Sequence, residues 1–124
     1  MKRDLENRDD IVALINSFYE KVRANPKIGF IFNDIAKVDW DKHLPIMYSF
    51  WASILFGERS YSGNPMNKHI ALSKMAKMSE AEFAEWLLIF HQTVDSLFEG
   101  EKANEAKARA TNIAGLMLHK IQQP

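Results

Sequence analysis

Four side chains in this sequence have the chemistry to act on one small molecule: His69, Tyr19, His43 and Trp86. His69 stands in Tyr61-Ser62-Gly63-Asn64-Pro65-Met66-Asn67-Lys68-His69-Ile70-Ala71-Leu72, a stretch rich in turn formers that presents one imidazole beside two apolar residues. Taken alone, the stretch reads as a surface loop that happens to carry a histidine. Tyr19, His43 and Trp86 each bear a polar tip that needs a hydrogen-bond partner when buried. One such residue is usually a satisfied core residue; three from three different helices suggest a shared polar pocket. On these residues alone both readings stand. The chemistry on offer is an imidazole that can ligate a metal, with donors that steady negative charge.

Other chemistries are excluded by type and spacing. No two of His43, His69, His91 and His119 lie three to five residues apart, so there is no local zinc pair. None has a Glu three residues before it, as a di-iron bundle would require. There is no glycine-rich phosphate loop and no nucleophile elbow. With no cysteine, disulfides, iron–sulfur clusters, thiolate zinc and covalent haem attachment are out. Sixteen basic and sixteen acidic residues balance, which argues against nucleic-acid or membrane binding through bulk charge. What remains is a single histidine ligand facing an aromatic pocket, the form of a b-type haem site.

Helices must position these residues. The length of 124 residues fits one domain, residues 1–124. Asn7, Asp9 or Asp10 can cap a first helix in which Ile11, Leu14, Ile15, Phe18 and Val22 share a face, with Tyr19 at its edge. Asn25-Pro26 ends it. A short apolar piece, Ile28 to Phe32, precedes a second helix from about Asp39. Its broad face carries Trp40, His43, Leu44, Met47, Phe50, Trp51, Ile54 and Leu55. Pro45 predicts a distorted first turn with regular helix only from about that residue, and Gly57 is a stop.

After the His69 stretch, Ser79 and Glu82 have the spacing of a capping box. The helix behind them shows Phe83, Trp86, Leu87, Phe90, Val94, Leu97 and Phe98 on one face, with His91, Gln92, Thr93 and Asp95 on the polar side. Gly100 closes it. A last helix, from about Ala103 to Ile121, turns Ala106, Ala110, Ile113, Ala114, Met117 and Ile121 inward. No stretch alternates like a strand, so the fold class is all-α. The most apolar run, Ile46 to Gly57, is too short to span a bilayer, and the N-terminal residues do not read as a signal peptide. The cytoplasm is the expected compartment.

Phe18-Tyr19, Trp40 with His43, Phe50-Trp51, the Tyr61-x-Gly63-x-Pro65 run leading to His69, and Trp86-Leu87 with Phe90 together resemble a truncated haemoglobin, most of all the third group of that family. The glycine pairs of the first group are absent. The resemblance covers nearly the whole chain and rests on order and spacing, since each piece alone is common. It implies a two-over-two helical sandwich around haem b, held without covalent attachment. It implies His69 as the proximal iron ligand and Tyr19, His43, Met47 and Trp86 around the distal pocket. Phe32, Phe50, Tyr61 and Met66 would lie near the porphyrin. Phe90, which also reads as core, joins the cofactor-binding residues.

Oxygen, nitric oxide and carbon monoxide are the ligands this implies. Two other functions compete with simple gas binding. One is nitric oxide dioxygenase or peroxidase-like turnover, which needs a reductase; Met47 would be an oxidisable wall, awkward for a dedicated peroxidase. The other is a haem-free helical interaction module, with His69 in a loop and Tyr19, His43 and Trp86 in the core.

Overall fold

The computed structural model describes residues 2–31, 40–57 and 79–122, with side chains as far as residue 119. Among these residues there are four helices: α1 Arg8–Ala24, α2 Trp40–Phe56, α3 Glu80–Leu97 and α4 Glu101–Gln122. The α1/α2 pair lies over the α3/α4 pair, joined by contacts of α1 with α3 and of α2 with α4. The fold is all-α, as the sequence predicts. No described helix is long and apolar enough to cross a membrane.

Of the three capping candidates at α1, Asn7 is the cap: its side-chain oxygen accepts from the Asp10 N–H at 3.1 Å. All five residues of the predicted stripe are buried, and Tyr19 with them. Asn25 ends α1, and its side-chain oxygen accepts from the N–H groups of Lys27 and Ile28, starting the short piece that carries Ile28 and Ile31 into the core. Gly29 lets that piece lie on the end of α1, because a Cβ there would come within 2.6 Å of the Arg23 carbonyl oxygen.

Pro45 does not delay the second helix. α2 runs unbroken from Trp40 through the proline. An interior proline costs about 3 kcal/mol. Burial of Met47, Trp51 and Leu55, each contributing about 1.5–3 kcal/mol, outweighs that cost. Gly57, at φ 68°, stops the helix in the left-handed region. The Lys102 ammonium donates to the Leu55 carbonyl at 2.6 Å, tying the end of α2 to α4.

The capping box at α3 is not closed. Ser79 occupies the cap position, but its hydroxyl donates to the Glu82 carboxylate at 2.5 Å and does not accept from the backbone. A charged acceptor makes the stronger bond. Two residues of α3 differ from the predicted faces. Thr93 is fully buried because its hydroxyl donates to the Ile89 carbonyl at 2.7 Å, which removes the cost of hiding it. Leu97 is exposed, while Phe98, just past the helix end with extended backbone, turns into the core. Along α4 the small residues Ala103, Ala106, Ala110 and Ala114 are buried, with Met117 beside them.

The N-terminal arm closes the molecule. The Asp4 carboxylate accepts from the N–H groups of Lys102 and Ala103, both at 2.8 Å, and so serves as a cap for α4 from the other end of the chain. Gly100 leaves room for it: a Cβ there would sit 2.6 Å from the Asp4 Cγ. Nearby, the Arg3 guanidinium donates to both oxygens of Asp10.

Candidate functional site

Tyr19 comes from the inner edge of α1 and is 5% exposed. Its hydroxyl lies 3.4 Å from Nε2 of His43 on α2. The two rings meet edge to face with centroids 5.4 Å apart. The structure therefore brings together two of the three polar-tipped residues singled out in the sequence. Trp86, on α3, is linked to the pair through Phe18: Phe18 lies 5.0 Å from the Tyr19 ring and 5.5 Å from the Trp86 ring. Phe18 and Tyr19 are neighbours in sequence, so one turn of α1 supplies both the apolar joint and the polar head.

Behind these residues is an aromatic stack. Trp51 lies flat on Phe90 at 5.0 Å and 21°, and Phe90 lies flat on Trp86 at 6.0 Å and 14°. Phe90 also receives Phe18 edge-on at 5.1 Å. Phe90 is fully buried and its truncation to alanine would cost about 3–5 kcal/mol. Its position is that of a core residue that also fixes the tilt of Trp86. Phe50 meets Trp51 edge to face at 5.6 Å, and Met47 is buried. Ile54, Trp86 and Leu87 are only partly buried against this core.

Burial pushes the Tyr19 phenol well above its ordinary range. A phenol is neutral at neutral pH in any case, and burial reinforces it, so Tyr19 is an O–H donor. Which atom donates between Tyr19 and His43 depends on the imidazole tautomer. With Nε2 bare, the phenol donates to it. With Nε2 protonated, the ring donates to the phenol oxygen and the phenol proton is free to turn toward a third group.

Two residues in this arrangement carry no site role in the sequence reading. Trp40 appears there only as part of a helix face and of the family pattern. In the structure its ring lies 5.2 Å from Tyr19 and 5.6 Å from His43. The Arg23 guanidinium covers the same indole at 4.9 Å. Helical periodicity places Trp40 and His43 on one face three residues apart, which was the available signal. Nothing local points to Arg23. Thr111, on α4, stands 3.2 Å from Nε2 of His91, which places that imidazole against α4 and apart from the Tyr19–His43 pair. His69, Phe32, Tyr61 and Met66 lie outside the described residues.

A flat apolar macrocycle needs aromatic and aliphatic walls with few polar heads among them. The described residues fit such a group. The partly buried Phe50, Ile54, Trp86 and Leu87 offer apolar surface, and Tyr19 and His43 place two polar heads beside the same aromatic cluster.

A family model described as bacterial-like globin matches residues 5–119 of the chain. The chain is 35% identical over 118 residues to a group 3 truncated hemoglobin of Campylobacter jejuni, covering 92% of this chain and 90% of that protein. It is also similar to the crystal structure of the group III truncated hemoglobin from Campylobacter jejuni. There the TM-score is 0.84 at 32% identity, over 99% of this chain and 97% of that one.

Proposed function

Because the chain belongs to the bacterial-like, truncated globin family, which implies a haem-binding globin, we propose that it binds oxygen, nitric oxide and carbon monoxide at a non-covalently held b-type haem. His69 would be the ligand to iron; Phe32, Phe50, Met47, Tyr61, Met66, Trp86 and Phe90 would wall the macrocycle. Haem, when bound, supplies an iron that takes a diatomic ligand and shifts electron density onto it. The compartment we propose is the cytoplasm.

The observation that carries this reading is the Tyr19–His43 pair, two polar groups from different helices set into an aromatic enclosure. Tyr19 keeps its proton at neutral pH as any phenol does, and burial reinforces this. It can therefore donate to a ligand atom that bears partial negative charge. In a dry site such a fixed donor is stronger than in water and costs no reorganisation. His43 tunes the donor. With Nε2 protonated it donates to the phenol oxygen and leaves the phenol proton to the ligand. With Nε2 bare it competes for that proton. The Trp86 indole N–H is the third polar head, its ring angle set by Phe90.

An absorption spectrum of the purified protein tests the reading. We expect a Soret band with the features of a histidine-ligated b-type haem, removable with acid and organic solvent. A protein that takes up no haem would instead favour the helical interaction module.

A further inference from the structure

We infer that Trp40 is the positioning residue of the site, held in place by Arg23, and that it sets the His43 ring against the Tyr19 hydroxyl. The inference rests on the reading of Tyr19 and His43 as the ligand-facing pair. Three rings, Tyr19, Trp40 and His43, are in mutual contact, with centroid separations of 5.2, 5.4 and 5.6 Å. The Trp40–His43 contact is edge to face at 83°, the Tyr19–His43 contact at 80°. An imidazole gripped by two rings in this way has little freedom to turn about its bonds.

Trp40 lies in the first described turn of α2, and side chains of α1 pack on its indole from outside that helix. Arg23 does so from the last turn of α1, its guanidinium 4.9 Å from the ring centroid. The end of one helix thereby clamps the start of the other, on the side where the polar heads meet. Tyr19, Arg23, Trp40 and Leu44 also line a groove of about 760 Å³ between the two helices. Removing the indole would widen this groove at the Tyr19 ring and admit water beside the phenol.

Trp40 is half-buried and Arg23 exposed, so replacing either should spare the fold. The test uses Trp40→Leu, Trp40→Phe, Arg23→Gln and Arg23→Lys with two readouts. The first is the proton cross-relaxation peak between the Tyr19 and His43 rings in the labelled, haem-free full chain. The second is oxygen release measured against carbon monoxide release in the haem-loaded protein. We expect Trp40→Leu to lose the ring-to-ring peak and to change oxygen release by roughly threefold to tenfold, the scale of an aromatic pair. Carbon monoxide release should stay at the parent rate. Trp40→Phe should restore both readouts. Arg23→Gln should change oxygen release by roughly twofold to fivefold, and Arg23→Lys much less.

Trp40→Leu with its ring-to-ring peak and oxygen release at parent values overturns the inference. So does acceleration of both gases together, which marks general loosening. Absence of the peak in the parent chain also overturns it. The first readout needs no haem, so a chain that binds none defeats the functional reading while this contact is still judged. A parent that binds haem and answers to Tyr19→Phe, but not to Trp40→Leu, defeats only the role of Trp40.

Discussion

The Tyr19 hydroxyl and Nε2 of His43 face each other across the α1–α2 contact at 3.4 Å, at the long end of what a hydrogen bond spans. The phenol proton can leave so long a bond for a third group while the imidazole stays held between the Tyr19 and Trp40 rings.

Replacing Tyr19 by phenylalanine removes that hydroxyl and keeps the ring that Phe18 and Trp40 pack against. If Tyr19 donates to bound oxygen, the loss is about 1.5–3 kcal/mol. Oxygen release should then be faster by about one to two decades. Carbon monoxide, which carries little charge, should leave at nearly the parent rate. Stopped-flow measurement of both gases separates a lost donor from a loosened pocket. The Tyr19→Phe/Trp86→Phe double variant covers the case in which the indole takes over. Oxygen release at the parent rate in that variant would leave the polar-pocket mechanism without support.

His69→Ala should abolish stable haem binding, because there is no cysteine to replace the imidazole and His91 is engaged with Thr111. Titration with haem, followed by the Soret band, reads the outcome. Full occupancy with a histidine-ligated spectrum would mean that another residue is the ligand.

The ferric resting form should hold only a minor bis-imidazole species. His43 is engaged by Tyr19 and Trp40, and Pro45 stiffens the helix two residues on. A purely low-spin spectrum at neutral pH, lost in His43→Ala, would contradict this.

Stability should fall in acid through the N-terminal arm. At Asp4, burial works to raise the carboxyl, and the N–H groups of Lys102, Ala103 and Leu5 outweigh it, holding the carboxyl below its ordinary range. The Arg3 guanidinium does the same for Asp10, against burial. A carboxylate lowered in the folded state stabilises fully above its unfolded value, and that contribution is lost as the pH falls through the folded one. The loss therefore sets in below about pH 5. Asp4→Ala should cost about 1 kcal/mol at neutral pH as a lost cap. Urea midpoints for parent and variant should converge as the pH falls. Midpoints that keep a constant gap down to about pH 2 would show that the Asp4 charge contributes nothing.

The four helices were legible because each turns a broad apolar face inward at helical spacing, and because Asn7, Asn25, Gly57 and Gly100 mark ends by their own conformational preferences. Thr93 was misplaced because its hydroxyl is satisfied by a carbonyl of its own helix, which a polar side chain's identity does not reveal. Ser79 and Glu82 have the right spacing for a capping box, yet spacing does not say whether a serine bonds to backbone or to carboxylate. Of the candidate site, Tyr19 and His43 could be named separately from their polar tips. A shared pocket was suggested by polar tips on separate helices and by the family pattern, but the direct Tyr19–His43 contact was not legible, since the two are 24 residues apart and periodicity within each helix says nothing about where two helices cross. The clamp of Arg23 on Trp40 was illegible for the same reason.

The Asp4 cap has a consequence for the order in which the molecule is assembled. Asp4 and its two donors are separated by 98 and 99 residues of chain. During synthesis the acceptor is therefore made long before the groups that donate to it. Until Lys102 and Ala103 have emerged, the Asp4 carboxylate lacks these two N–H donors. Closing so large a loop brings no return until the intervening helices have packed. The arm is thus a latch that drops after the rest of the structure is in place. Substitution at Asp4 should hasten unfolding and leave the folding rate almost untouched.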